Sequence, residues 1–347
     1  MALRAKDIAE MIGVSQATLS LVINNKPGIS AKTKEKVIQA LKDRGLDYLL
    51  VRGEVEGAPE DAASHDSRNI GFVIYTNKGD LLGFNSFFPF IMEGVEARAR
   101  LHGYNVSFIN VRREFVKEDL QHILDAKCVG CVVFATEMHS EDSAAFQKLG
   151  IPVVLLDNYF ADQRLNAVKL NNVQGTYLAV KHLVERGHRK IGYLRSGLAI
   201  DSFAERFQAA LSAMRQFGVA DPEAYVYEIG YHPENAKAGM AALLEKKVKL
   251  PTAFMADNDV VAAGALTACV NAGLRVPEDI SFVGFDDRPE CVLCNPPLTT
   301  IKMSRQYFGA EAVELLVRAL NGVPGLSVKM EIGTELVERE SVARLGQ

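Results

Sequence analysis

The chain has 347 residues, 48% of them hydrophobic and 24% charged, with a net charge of −4; it is an ordinary soluble chain, long enough to bury more than one core, and two or three domains are expected. No apolar run approaches the length of a bilayer span and no signal peptide precedes the charged, amphipathic opening, so the protein is expected to stay in the cytoplasm. Five cysteines, an odd number, argue against structural disulfides in that compartment.

The first 48 residues read as three short helices joined by tight turns. Apolar residues at Ile8, Ala9 and Met11 end at Gly13, a residue free to take the positive φ of a tight turn. Ser15 caps a second helix, on which Ala17, Leu19, Val22 and Ile23 form the apolar side and Gln16, Ser20 and Asn24 the outer side. A third helix follows Pro27-Gly28, with Ser30 as its cap and Val37, Ile38 and Leu41 spaced to cover the other two. This outline is a helix-turn-helix, a unit that reads the major groove of DNA. Charge supports it: residues 1–48 carry eight Lys/Arg against five Asp/Glu, whereas the remainder carries 31 against 38. A basic head on an acidic body suits phosphate contact confined to one end of the chain.

Residues 49–68 are polar and acidic and read as a linker. From Asn69 onward, β-branched runs alternate with helical patterns, which places residues 69–347 in a body of strand-helix units. Strands are expected at 70–76, 105–111, 129–134, 152–157, 190–194, 225–229, 252–255 and 280–285. Helices fit between them at 88–102, 117–126, 142–149, 172–186, 203–217, 234–246 and 259–272. Repeated strand-helix units give parallel sheets covered on both faces, and this many strands make two sheets. Ligands in such folds bind beyond the carboxyl ends of the strands, so two facing lobes would enclose one in a cleft.

At this point the residues carry a resemblance. The head reads Asp7-Ile8-Ala9, Gly13-Val14-Ser15, Thr18-Leu19-Ser20 and Val22-Ile23-Asn24, followed by Ile29-Ser30-Ala31-Lys32-Thr33. The body reads Asn171-Asn172, Gly187-His188-Arg189-Lys190-Ile191-Gly192-Tyr193, Asp257-Asn258-Asp259, Gly273-Leu274-Arg275-Val276-Pro277-Glu278-Asp279-Ile280-Ser281, Val283-Gly284-Phe285-Asp286-Asp287 and Pro296-Pro297-Leu298-Thr299-Thr300-Ile301. In this order, over nearly the whole chain, the segments resemble the lactose-repressor (LacI/GalR) family of bacterial transcription regulators. The resemblance implies an all-α helix-turn-helix head on an α/β body, two-lobed and periplasmic-binding-protein-like (type I), with doubly wound parallel sheets. It implies a homodimer whose paired heads read a roughly palindromic operator in double-stranded DNA, and a small polar effector, usually a sugar, bound between the lobes. No cofactor, metal or membrane is implied.

By position, the resemblance assigns effector contacts to Asp157, Arg206, Asn258 and Asp286. Their chemistry points the same way, because carboxylates, an amide and a guanidinium at strand or helix ends can make bidentate bonds to adjacent hydroxyls. His232 stands where relatives often carry an aromatic that stacks on the ligand. Of Phe87 and Phe88, one ring is expected at the cleft mouth, here taken as Phe87, and the other in the core.

Two departures lie in the DNA apparatus. Relatives follow the tyrosine matching Tyr48 with a hinge helix whose leucine wedges into the minor groove; here Leu50, Val51, Glu54, Val55 and Gly57 occupy those positions, so no standard hinge helix is expected. Leu21 stands where Arg or His is frequent; it can touch a thymine methyl group but offers no hydrogen bond to guanine. Base reading then falls to Gln16, Ala17 and Ser20, and phosphate contact to the backbone, Asn24, Lys32 and Lys34. Two C-x-x-C pairs, Cys128/Cys131 and Cys291/Cys294, have the spacing of a zinc or redox site, but the first straddles a buried strand, and free cysteines commonly pack as small hydrophobes. No H-E-x-x-H, G-x-S-x-G, P-loop or G-x-G-x-x-G element is present, so an enzyme is not expected. The reading is a repressor of carbohydrate uptake or catabolism genes; the alternative is a ligand sensor of the same family that binds DNA weakly, or only with a partner protein, because the hinge is lost.

Overall fold

The computed structural model describes residues 9, 12–23, 28–42, 68–78, 88–322 and 327–346. The chain divides into two compact units, Met1–Asp66 and Ser67–Gln347.

In the first unit Gly13 takes φ +72°, and the Ser15 hydroxyl accepts the Thr18 backbone N–H at 3.0 Å to start helix α1, Gln16–Ile23. The Ser30 hydroxyl does the same for Thr33 at 3.1 Å ahead of α2, Ala31–Lys42. Each cap satisfies a donor that the first helical turn would otherwise leave open. Ala9, Leu19, Val22, Val37 and Leu41 form a small buried core, with Ile12, Val14, Ile29 and Ile38 packed against it. Leu50 to Gly57, which stand where relatives carry the hinge helix and were expected to form no standard one, lie outside the described residues, as do Asn24 and Phe87.

The second unit contains two parallel sheets. Lobe one has six strands: β1 (Asn69–Thr76), β2 (Asn105–Arg112), β3 (Cys128–Phe134), β4 (Val153–Leu156), β5 (Asn166–Leu170) and β11 (Lys329–Ile332), in the spatial order β11-β5-β4-β3-β1-β2. Lobe two has four: β6 (Ile191–Arg195), β7 (Val226–Glu228), β8 (Ala253–Ala256) and β9 (Ser281–Val283), in the order β7-β6-β8-β9. A short antiparallel pair, β10 (Thr300–Lys302) with β12 (Glu335–Val337), is joined to the end of β9 by the Gly284 and Asp286 backbone N–H groups, which donate to the Thr299 and Ile301 carbonyls. Central strands such as β3 and β8 are almost wholly buried, as expected where helices cover both faces of a parallel sheet.

Helices α3 (Phe88–Leu101), α4 (Val116–Asp125), α5 (Ser140–Gln147) and α10 (Arg305–Leu320) belong to lobe one. Helices α6 (Asn172–Glu185), α7 (Asp201–Gln216), α8 (Pro233–Glu245) and α9 (Asp259–Asn271) belong to lobe two. The chain crosses between lobes three times: from β5 into α6, from β10 into α10, and from β11 into β12. Lobe one is thus completed by the C-terminal segment. Its α10 lies against α3 so closely that a Cβ on Gly94 would fall 1.9 Å from the Gln306 carbonyl oxygen; glycine there is a condition of the packing.

Eight strands and seven body helices were expected, with ends within one or two residues of those observed except at the shorter β9. The strands β5, β10, β11 and β12 and helix α10 were not. The three-to-five-residue strands are too short to show a period. Helix α10 does carry a helical pattern, Phe308, Ala312, Leu315 and Leu316, all buried, but it follows the last expected strand of the alternation.

Candidate functional site

The carboxyl ends of the strands in both lobes converge on a narrow cavity of about 50 Å³, lined among others by Thr136, Asp157, Ser202, Arg206, Asn258 and Asp286. Arg206 is its centre. Helix α7 carries this side chain inward until it is 3% exposed, and its donors are aimed by lobe two. Nε donates to the Asn172 carbonyl oxygen at 2.9 Å, Nη1 to the backbone carbonyl of Asp257 at 2.8 Å, and Nη2 lies 3.2 Å from Oδ1 of Asp286. The guanidinium also lies over the Phe285 ring, 3.7 Å from its centroid. A buried guanidinium needs such a set of partners, because an unpaired charge away from water is costly.

Asp286 follows β9 with φ +111°, a conformation that turns its side chain toward Arg206 and costs a non-glycine residue backbone strain. Its Oδ2 lies 3.7 Å from Nε of Arg288, so two cations share one carboxylate. Below it, Asp259 accepts the Thr300 hydroxyl at 2.5 Å and the Arg288 backbone N–H at 2.8 Å; burial and the neighbouring Asp286 push its carboxyl above the usual carboxylate range.

Asp157 enters from lobe one, at the end of β4, with φ +72°. It accepts the Thr136 hydroxyl at 2.6 Å. Burial pushes its carboxyl up to about 6, against the pull of Thr136 and Arg206. Asn258 caps α9, its side-chain oxygen accepting the Val261 N–H at 3.2 Å; what it can turn to the cleft is therefore the amide nitrogen. The cavity thus presents donors from Arg206 and Asn258, acceptors from Asp157 and Asp286, and the rings of Phe203 and Tyr231. That is a recognition chemistry for a small polar molecule.

Asp157, Arg206, Asn258 and Asp286, distant in sequence, are thus brought together. His232 precedes α8, and the ring lining the cavity is that of its neighbour Tyr231, 5.6 Å away centroid to centroid. Phe88 packs in the lobe-one core, 5.7 Å from the Phe72 ring and 5.2 Å from Phe134. Sequence reasoning gave no role to Thr136, Ser202, Phe203, Tyr231 or Arg288, all on the cavity wall. Of these, Arg288 offered a signal, two positions beyond Asp286 in the same strand-end loop.

In the head, Gln16 and Lys32 are exposed and Leu21 and Lys34 partly so; the side chains of Ala17 and Ser20 lie outside the described residues. Cys128, Cys131 and Cys291 are buried, and burial pushes their thiols up. Among the described residues no group of three or more His, Cys, Asp or Glu side chains could hold a metal ion, and no helix is long and apolar enough to cross a membrane.

Comparison with known proteins matches both parts. Residues 5–48 fit the pattern of bacterial regulatory proteins of the lacI family, and residues 180–342 that of a periplasmic binding protein-like domain. The HTH-type transcriptional repressor PurR of Pasteurella multocida is 31% identical over 343 residues, covering 97% of this chain and 98% of that protein. PurR of Mannheimia succiniciproducens is 29% identical over 98% of each chain. Among solved structures, the Lac repressor dimer bound to operator and the anti-inducer ONPF aligns with a TM-score of 0.70 and 26% identity, over 99% of this chain and 100% of that one. The regulator CelR in complex with cellobiose shares the fold, with a TM-score of 0.71 and 24% identity over 97% of this chain and 99% of that one.

Proposed function

The chain belongs to the lacI family of bacterial regulatory proteins, and from that premise we propose that it represses genes for the uptake or breakdown of a carbohydrate under the control of a small polar effector held between the lobes. The observation that carries this reading is the buried Arg206, fixed by lobe two and facing Asp157 of lobe one across the cavity. A guanidinium flanked by two carboxylates matches adjacent hydroxyls, which accept from the first and donate to the second. CelR was solved with cellobiose; a sugar of one or two units fits the same logic here. With about 50 Å³ inside, little more than the space of one or two waters, the lobes must part before such a molecule enters. A planar polar ring is the second reading, favoured by the Phe203 and Tyr231 rings, whose centroids stand 6.3 Å apart beside Arg206.

In this reading, residues 1–48 are the DNA-reading head, 49–68 an atypical hinge and 69–347 the effector-binding and dimerising body. Two heads on a homodimer add their affinities for a two-fold operator, and the protein works in the cytoplasm. Selection of bound sequences from random duplex DNA by the full-length protein, at moderate salt and without effector, is expected to enrich a two-fold-symmetric site. Sugars and planar heterocycles are then titrated for release or tightening. Failure to enrich any motif with a folded dimer overturns the autonomous repressor in favour of the sensor that needs a partner; response only to heterocycles overturns the carbohydrate assignment.

A further inference from the structure

Beside the inner cavity lies a chamber of about 230 Å³, walled in part by Asp157, Tyr159, Lys169, Asn172, Ser202 and Glu205. Lys169 is out of character for its place. It sits on β5, an interior strand between β4 and β11, among the buried residues Ala167, Val168 and Leu170, and is itself 7% exposed. A buried ammonium persists only where it is paired. Its Nζ lies 2.6 Å from Oε1 of Glu205, 3.6 Å from Oε1 of Glu331 and 4.8 Å from the centroid of the Tyr159 ring.

The two carboxylates belong to different lobes. Glu331 is the register partner of Lys169 on the adjacent strand β11, so it travels with Lys169. Glu205 is on α7 and travels with lobe two. The other oxygen of Glu205 accepts the Asn172 amide at 2.8 Å, and the Asn172 oxygen accepts Nε of Arg206 at 2.9 Å. A continuous polar line therefore runs from Lys169 in the lobe-one sheet through Glu205 and Asn172 to Arg206 and Asp286. When the lobes part, Lys169 keeps Glu331 and the Tyr159 ring, while Glu205 keeps Asn172 and gains water. Neither charge is orphaned on opening, so the contact can be made and broken reversibly.

We propose that Lys169 and Glu205 form a latch across the cleft, and that Glu205 is a positioning residue through which closure of lobe one tightens the setting of Arg206. The resting balance between open and closed cleft, and with it effector affinity, is then set by a pair outside the inner cavity. The affinity part rests on the reading of Arg206 as an effector contact; the latch itself does not.

The chain contains no tryptophan, so a Tyr159→Trp full-length protein carries a single reporter on the chamber wall, and acrylamide quenching of it reads cleft opening without any ligand. In this background Glu205→Gln or Lys169→Met is expected to raise the quenching constant about threefold, as a shift toward the open population does. Raising KCl from about 50 to about 500 mM is expected to raise it in the reference protein, because screening weakens the pair, and to leave Glu205→Gln unmoved. Lys169→Arg, which keeps the charge, and Glu331→Gln, which removes only the same-lobe partner, stay near the reference value. Should Glu205→Gln misfold by circular dichroism, the milder Glu205→Asp is read instead. Quenching equal to the reference in the folded Glu205 variants, or an equal rise in Glu331→Gln, overturns the latch. Because no effector enters the assay, failure of the carbohydrate reading would leave this result untouched.

Discussion

Lobe two and lobe one prepare their halves of the cleft differently. In lobe two, Arg206 is held by Asn172, the Asp257 carbonyl, Asp286 and the Phe285 ring, all before any ligand arrives. In lobe one, Asp157 accepts the Thr136 hydroxyl and sits with its carboxyl raised to about 6. A group fixed in advance loses little freedom on binding, whereas a buried carboxyl that favours its proton stands to gain from hydrogen-bond donors brought to it. In the proposed reading, that difference would make lobe two the frame against which an effector is oriented and lobe one the part that answers to occupancy.

The largest effect is expected from Asp286→Ala. It leaves the buried guanidiniums of Arg206 and Arg288, each 3–4% exposed, without their shared carboxylate, and removing one partner of a buried ion pair costs about 3–5 kcal/mol. Urea unfolding is expected to show that loss together with abolished effector response in a protein that still dimerises. A loss under about 1 kcal/mol would mean that lobe two is not a prepared frame. Next in size is Phe285→Leu, which keeps an apolar side chain but removes the ring under Arg206. About 1–2 kcal/mol of stability is expected to go, from packing and the cation–π contact together, with weaker effector binding by calorimetry.

Asp157→Asn sharpens the contrast from the other side. Because the folded carboxyl is raised from 3.8 to about 6, the folded state binds the proton more tightly than the unfolded chain does. This group's contribution is therefore fully present below about pH 4 and is lost as pH rises through about 6. Denaturant midpoints of the Asp157→Asn variant are expected to lose this group's share of that fall between about pH 4 and 6; an unchanged slope would deny that the Asp157 carboxyl is raised. Smallest in stability is Gln16→Ala in the exposed head position, which is expected to relax base preference by about fivefold, the low end for one lost base contact, while non-specific binding holds. Equal losses on all duplexes would remove Gln16 from base reading.

Much of the fold was legible because it is locally encoded. Ser15 and Ser30 cap helices in the order expected, and the apolar runs of β1, β3 and β4 could hardly be anything but buried strands. Asp157, Arg206, Asn258 and Asp286 were legible through the family resemblance, which assigned them by position, and through their polar chemistry at strand or helix ends; that the ends of two separate sheets face one crevice is not written in any local pattern. Tyr231 against His232 was not legible. Adjacent residues at the end of a strand differ only in which way the chain turns next, and that turn is set by where α8 packs. Lys169 was passed over altogether, since a single lysine in a five-residue strand carries no period.

Caps, turns and hydrophobic period act over a few residues, and from them alone follow a capped helix-turn-helix with a basic bias and an alternating body. The return of the C-terminal segment to complete lobe one through α10 and β11, and the meeting of Glu205 of α7 with Lys169 of β5 across the cleft, come from the folded chain. Those are pairings between distant segments, fixed by sheet register and by the closure of two lobes, and no local pattern records the partner.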